Sequence, residues 1–506
     1  MSLSSPTPKL PHPNGGWRAL LIGVILLWSL LTEAHVGNPH VVFEGTVGTF
    51  PLSVVIRQPD VVPGLAEISL RVLSGSPAEL TVLPLHWSTD RRGAPRPDKA
   101  ILVPGETDLY SAELWLMSKG AYGVEVTASG PGGGRVMIPV NSLAYERKAM
   151  PLSLSIIASA LGLLLVVGIL GITRAALRES TLPAGAWADA YQRVRGWLGL
   201  GLGCTLVAIA IFGGNFWWQV EDEAHRTRVL FRPLQHTLSL EGEETPNPLK
   251  IKLTDSRMSQ KPFALVPDHG KLVHLFLVNA TPPERFLHLH PQRIDSRSFE
   301  SELPNLPAGD YRVFADITHE LGFSQTLTNR LTLPRDLTQR RSLSDVDDSI
   351  WQGQLEKGTR ALLPGGRTLQ LQVGDMRASR PVLLEASLSE PNGSPCALQP
   401  YLRMLGHAIV MRLDGAVFSH IHPSGTLNMA AAKRFANKAG GSLAEQEAEA
   451  ICGDLSNMPA AELLALGSAG KVSFPFVFPS KGDYAIWIQT RVSGTVLTGA
   501  FQVSVP

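Results

Sequence analysis

Cysteine is scarce, with three residues in 506. Cys204 falls inside an apolar run and reads as a small packing residue. Cys396 and Cys452 then form the one candidate disulfide, with two buried thiols as the alternative. Charge of one sign is also missing. A net charge of +1 excludes global steering towards nucleic acid or an anionic membrane surface. No nucleophile elbow, P-loop, dinucleotide fingerprint or zincin helix occurs, so an enzyme is the least supported class. Low-complexity sequence is confined to the amino-terminal tail. Long apolar runs number three, in a chain whose length suits roughly three domains.

The first run, Ala19 to Leu31, follows Arg18 and precedes Thr32-Glu33-Ala34. It is short for a bilayer span, so residues 1–34 read as a signal peptide or an anchor. Residues 151–172 and 197–218 are long and uncharged, with Trp197, Trp217 and Trp218 at span ends, and both are expected to be transmembrane helices. Arg174, Arg178, Arg193 and Arg195 lie between them, whereas Glu221, Asp222 and Glu223 follow. The positive-inside rule makes 173–196 a cytoplasmic loop and puts the flanking regions outside the cytoplasm.

What the chain does have is a repeated histidine pattern. His274 with His288-Leu289-His290-Pro291 recurs as His407 with His420-Ile421-His422-Pro423. Gly309-Asp310-Tyr311 after the first is matched by Gly482-Asp483-Tyr484 after the second, and Leu249-Lys250-Ile251-Lys252-Leu253 ahead of the first by Leu369-Gln370-Leu371-Gln372-Val373. A module is therefore duplicated. In a strand, side chains alternate faces, so both histidines of each His-x-His share a face. Asp414-Gly415 is a two-residue hairpin signal. Counting outward, Met411 meets Phe418, Ile409 meets His420 and His407 meets His422, which gathers His407, His420 and His422 on one face. If Thr281-Pro282-Pro283 forms the loop of the first copy, His274 meets His290 in the same way.

The fold class expected is mainly β: three β-sandwich modules of immunoglobulin or cupredoxin type, two transmembrane helices and a short helical insertion. The modules are residues 35–148, residues 245–335 with the first histidine cluster, and residues 365–506 with the second. The last contains the insertion 429–468, rich in Ala, Glu, Lys and Leu. The polar stretch from Arg335 to Gly365 reads as a linker.

Within the first module, Val54-Val55-Ile56 leading to Pro63-Gly64, then Tyr110-Ser111-Ala112-Glu113-Leu114-Trp115 and Gly120-Ala121-Tyr122-Gly123-Val124-Glu125-Val126, resemble the YtkA-like and FixH families. The resemblance implies a small extracytoplasmic β-sandwich, and FixH relatives are associated with assembly of haem-copper oxidases. The remainder, with Asp268-His269-Gly270-Lys271 and Gly406-His407-Ala408 ahead of the histidine strands, looks like an uncharacterised bacterial membrane-protein group with duplicated His-x-His-Pro β modules. That likeness implies architecture and no mechanism.

Neutral imidazole suits copper and zinc, and three converging histidines are a recurrent ligand set. The expected metal ligands are His407, His420 and His422, with His274, His288 and His290 as their duplicate. The expected cofactor is a copper or zinc ion. Met404 and Met411 are soft candidates that would favour cuprous copper, with core packing as their alternative. His269 reads as an exposed turn residue. His319 aligns with Val492 and so is no shared ligand, although with Asp316 it would be the place for hydrolytic or oxidative chemistry. His35, made terminal by cleavage after Ala34, would be a separate copper chelator, with His40 and His86 as conceivable partners.

The expectation is a protein of the bacterial cytoplasmic membrane whose large domains face the periplasm or exterior. It would bind a transition metal, copper before zinc, for storage, sensing or delivery. Its partners would be the bilayer and a membrane protein or metalloprotein, with no nucleic acid. The alternative is a non-catalytic scaffold or assembly module in which the histidines only support strand pairing.

Overall fold

The computed structural model describes residues 40–89, 91–145, 150–183, 185–240, 248–255, 264–338, 345–440 and 454–506. Residues 1–34, with the expected cleavage site, and His35 lie outside them. The chain is mainly β, with six sheets and four α-helices among the described residues. Strands form where apolar residues alternate with polar ones. Along Gly64–Val72 the alternate residues Ala66, Ile68, Leu70 and Val72 are buried, while Glu67 between them is exposed.

The six sheets are joined in pairs by three hydrophobic cores. In the amino-terminal unit, the sheet containing His40–Val47, Phe50–Arg57 and Gly64–Val72 meets the sheet containing Glu79–His86, Gly120–Ser129 and Gly134–Ser142 over Phe43, Leu52, Ile68, Val82, Val124 and Ile138. Another core, with Leu249, Ile251, Leu275, Leu287, Tyr311 and Leu327, unites the two sheets of the first histidine repeat. The third, with Leu371, Leu384, Val410, Phe474, Ile486 and Phe501, unites those of the second.

The duplication is visible in strand order. In the first repeat Ser324–Leu333, Gly309–Thr318, Val273–Asn279 and Arg285–Leu289 lie side by side. In the second, Thr495–Val505, Gly482–Val492, His407–Arg412 and Phe418–Ile421 follow the same order. These two sheets pack face to face. A fourth apolar cluster between them joins Phe276, Phe286 and Phe314 to Met411, Phe418 and Trp487. Phe314 stacks on Phe418 with ring centroids 4.0 Å apart, and Phe286 on Trp487 at 4.8 Å. The central strands Val273–Asn279 and His407–Arg412 are consequently buried on both faces for nearly their whole length.

The stretch expected to link the repeats contributes strands to both, since Arg360–Leu362 pairs with Thr368–Val373 of the second repeat. Ser349–Gln352 pairs with Arg285–Leu289, extending the histidine sheet by one strand. The two apolar helices, Leu152–Glu179 and Ala190–Arg228, run further than their apolar cores and take up most of the expected loop 173–196. Each is long and apolar enough to cross a membrane. They pack closely where Gly199 meets the backbone of Thr173 and Gly203 its side chain, positions at which a Cβ would clash. Ala144 bridges to Leu230, so the β regions before and after the hairpin leave from the same end of it. The insertion contains the helices Met429–Gly440 and Ala460–Ser468. Cys396 is a buried thiol, and Cys452, its expected partner, lies outside the described residues.

Candidate metal centre

Strand register brings the histidines together. Ile409 pairs with His420 and Met411 with Phe418, as the Asp414-Gly415 hairpin requires, and this sets His407 against His422. Leu275 pairs with Leu289, which sets His274 against His290. Both sets point away from their own cores towards the facing repeat, so the two clusters expected from the sequence are one. Seven imidazoles, His269, His274, His288, His290, His407, His420 and His422, form a continuous array with neighbouring ring centroids 4.4 to 5.5 Å apart. Six are buried residues, and the His420 side chain is only 5% exposed.

His269 is a correction to the expected exposed turn residue: it is buried. Asp268-His269-Gly270-Lys271 is a tight turn in which His269 and Gly270 have φ of 50° and 86°, a conformation that turns the ring inward. The second repeat has the same turn at Tyr401 to Met404, with Leu402 at 49° and Arg403 at 66°. There Leu402 occupies the place of His269, so the seventh ligand candidate is not duplicated.

Ligand nitrogens converge in two sets. His274, His288 and His290 place theirs within 4.8 Å of one another, and His269, His407 and His422 do the same. This corrects the second expected triad. His269 joins His407 and His422, while His420 stands beside them, with Nδ1 3.7 Å from Asp316 Oδ2 and ring centroids 4.7 Å from His422 and 5.2 Å from His274. His319 is buried but belongs to neither set, and His86 lies apart, against Tyr122 and Ser88. Met411 packs in the cluster between the repeats and Met404 in the amino-terminal core, as the alternative reading of both had it.

The first set has its outer nitrogens tied. His274 Nε2 donates to the Asp268 carbonyl at 3.1 Å, His288 Nδ1 to Gln489 Oε1 at 2.9 Å, and His290 Nδ1 to Asp348 Oδ1 at 2.9 Å. These bonds leave His274 Nδ1, His288 Nε2 and His290 Nε2 as the nitrogens not engaged by the surrounding polar groups. The first two face each other at 3.2 Å, and the third is buried with no partner. In the second set, His422 Nδ1 donates to the Leu427 carbonyl at 3.2 Å and its Nε2 lies 3.0 Å from His269 Nε2. Both ring nitrogens of His407 are buried and unpartnered.

The repeats also serve one another reciprocally. Asp316 stands opposite His274 as Gln489 stands opposite His407. Gln489 reaches His288 of the other repeat, and Asp316 approaches His420. That reciprocity is the mark of pseudo-twofold packing.

Burial is the largest influence on charge here. It holds His269, His274, His288, His407 and His420 well below the usual imidazole range and brings His422 down to about 4. Burial also pushes Asp268 up to about 7, against the opposing Ala430 N–H, and Asp316 up to about 6, against the Thr326 hydroxyl. At neutral pH these six imidazoles carry no charge. His274 Nδ1 and His288 Nε2 then have no proton between them, an arrangement that a cation would relieve.

Among known families, residues 363–506 match one described as a domain of unknown function, DUF8832. No curated protein matches the chain. Similar solved structures include a tetra-tandem repeat from the extending region of a large adhesion protein, at 10% identity over 90% of this chain and 81% of that one, TM-score 0.15. A putative membrane anchored protein from Corynebacterium diphtheriae is 11% identical over 90% of both chains, TM-score 0.14.

Proposed function

We propose that this chain is a membrane-anchored envelope protein that binds a transition metal through imidazole alone. The observation carrying the reading is the His274, His288 and His290 set. Three imidazoles bring ligand nitrogens within 4.8 Å of one another, and each ring is oriented by a hydrogen bond from a nitrogen, the arrangement typical of metal-bound histidine. An all-nitrogen shell suits copper and zinc. Copper keeps precedence through its higher general affinity for nitrogen ligands rather than through sulfur, since both methionines near the second cluster are packed in apolar cores.

The remaining parts of the reading are consistent with the chain. Three β-sandwich modules would stand on one side of the bilayer, because the helical hairpin sends both β regions out from the same end and its turn carries the arginines. Storage, sensing or delivery would follow from a buried site without a catalytic group of its own.

Elemental analysis of the detergent-purified full chain tests this. Wild type should retain copper or zinc after dialysis, and replacing both His288 and His290 with Ala should lower the content. A folded wild type that binds neither metal would leave the scaffold reading, with the histidines as packing residues.

A further inference from the structure

The second set of histidines differs from the first in one respect that bears on exchange. A cavity of about 290 Å³ lies where the amino-terminal unit, the segments flanking the helical hairpin and both repeats meet. Its wall includes His420 and His422 together with Asp268 and Asp316, and none of His274, His288 or His290 lines it. Tyr145, just ahead of the hairpin, and Phe231, just after it, line it too, their rings 5.4 Å apart. The set at His269, His407 and His422 therefore has a solvent-sized space against one member. The other set lies behind it, against the facing sheets.

Resting on the reading of these histidines as ligands, we infer that the centre holds two metal ions of unequal exchange. One is enclosed by His274, His288 and His290; the other is held by His269, His407 and His422 and faces the cavity. Each set converges within 4.8 Å, so each can surround an ion of its own. Both nitrogens of His407 and Nδ1 of His269 lack partners although buried, which leaves this set free to settle its tautomers on an ion. His420 stands between the sets, with its Nε2 also unpartnered. The cavity gives the second ion an open position for water or a small anion, which the enclosed ion lacks.

The test loads the full-length protein in detergent with Zn²⁺ and follows its removal by excess EDTA. Two equivalents should be bound and should leave in two phases. His407→Ala should abolish the fast phase with one equivalent, and His290→Ala the slow phase with the other. His422→Gln decides the same point should His407→Ala lose its cooperative thermal transition. Thr328→Trp, at the exposed rim of the cavity, should slow the fast phase without changing the stoichiometry. One equivalent in wild type, or two that leave in a single phase, would overturn the inference while leaving metal binding intact. Zero equivalents would remove the metal reading itself.

Discussion

At the scale of single residues, the proposed centre would depend on groups besides the histidines. Asp348 accepts both the backbone N–H and Nδ1–H of His290, at 2.8 and 2.9 Å, and so fixes which nitrogen faces inward. Asp348→Ala should weaken metal affinity about 10- to 100-fold, the usual effect of losing such a partner, as read by competition with a chromogenic chelator. Unchanged affinity would mean that His290 is oriented by packing alone. Asp348 lies in the stretch read as a linker, so nothing about its polarity marked it out. His269 was missed for a related reason. Its inward direction comes from a left-handed backbone, and the available signal was the Asp-His-Gly turn, since His is among the few residues other than Gly that enter that region readily.

At the scale of elements, the hairpin register was legible because Asp414-Gly415 admits a tight turn and a period of two does the rest. The duplication was legible from the repeated strand ends. The packing of one repeat on the other was not, since alternating apolar residues show that a face is buried without showing against what. The aromatic side chains between the sheets carry that information only once both are placed. Trp487, fully buried against Phe286, should therefore hold the two repeats together. Trp487→Ala should cost about 3–5 kcal/mol in the stability of the repeat pair, read by denaturant unfolding, and should lower metal affinity in parallel. A second junction is Gly425, at φ 115° with the Val42 carbonyl where a Cβ would sit. Gly425→Val should separate the amino-terminal strand from the His422 loop, seen as faster proteolysis of the loop with the His274 set still able to bind.

At the scale of the whole molecule, a buried set of neutral imidazoles makes stability depend on pH. In the unfolded chain these groups take up protons near 6.5, whereas in the folded chain His422 does so only at about 4 and its neighbours below the usual range. Between those values the histidines bind more protons in the unfolded state. Asp268 and Asp316, raised to about 7 and about 6, hold protons in the folded state and oppose this, but they are fewer than the histidines, so stability rises with pH across the window and is lost as pH falls from 6.5 towards 4. The metal-free protein should show a falling melting midpoint through that interval, and bound metal should resist the fall, because protons and metal compete for the same lone pairs. A midpoint that stays flat across that interval would contradict the burial of neutral imidazole.

The atoms surrounding a bound metal decide whether imidazole alone holds it. X-ray absorption at the copper or zinc edge of the loaded full-length protein reports that shell directly. A centre built as described here should show nitrogen with the outer-ring scattering of several imidazoles, at about 2.0–2.1 Å for zinc, and no sulfur. A sulfur contribution, or a metal surrounded by oxygen alone, would be incompatible with ligation by these histidines.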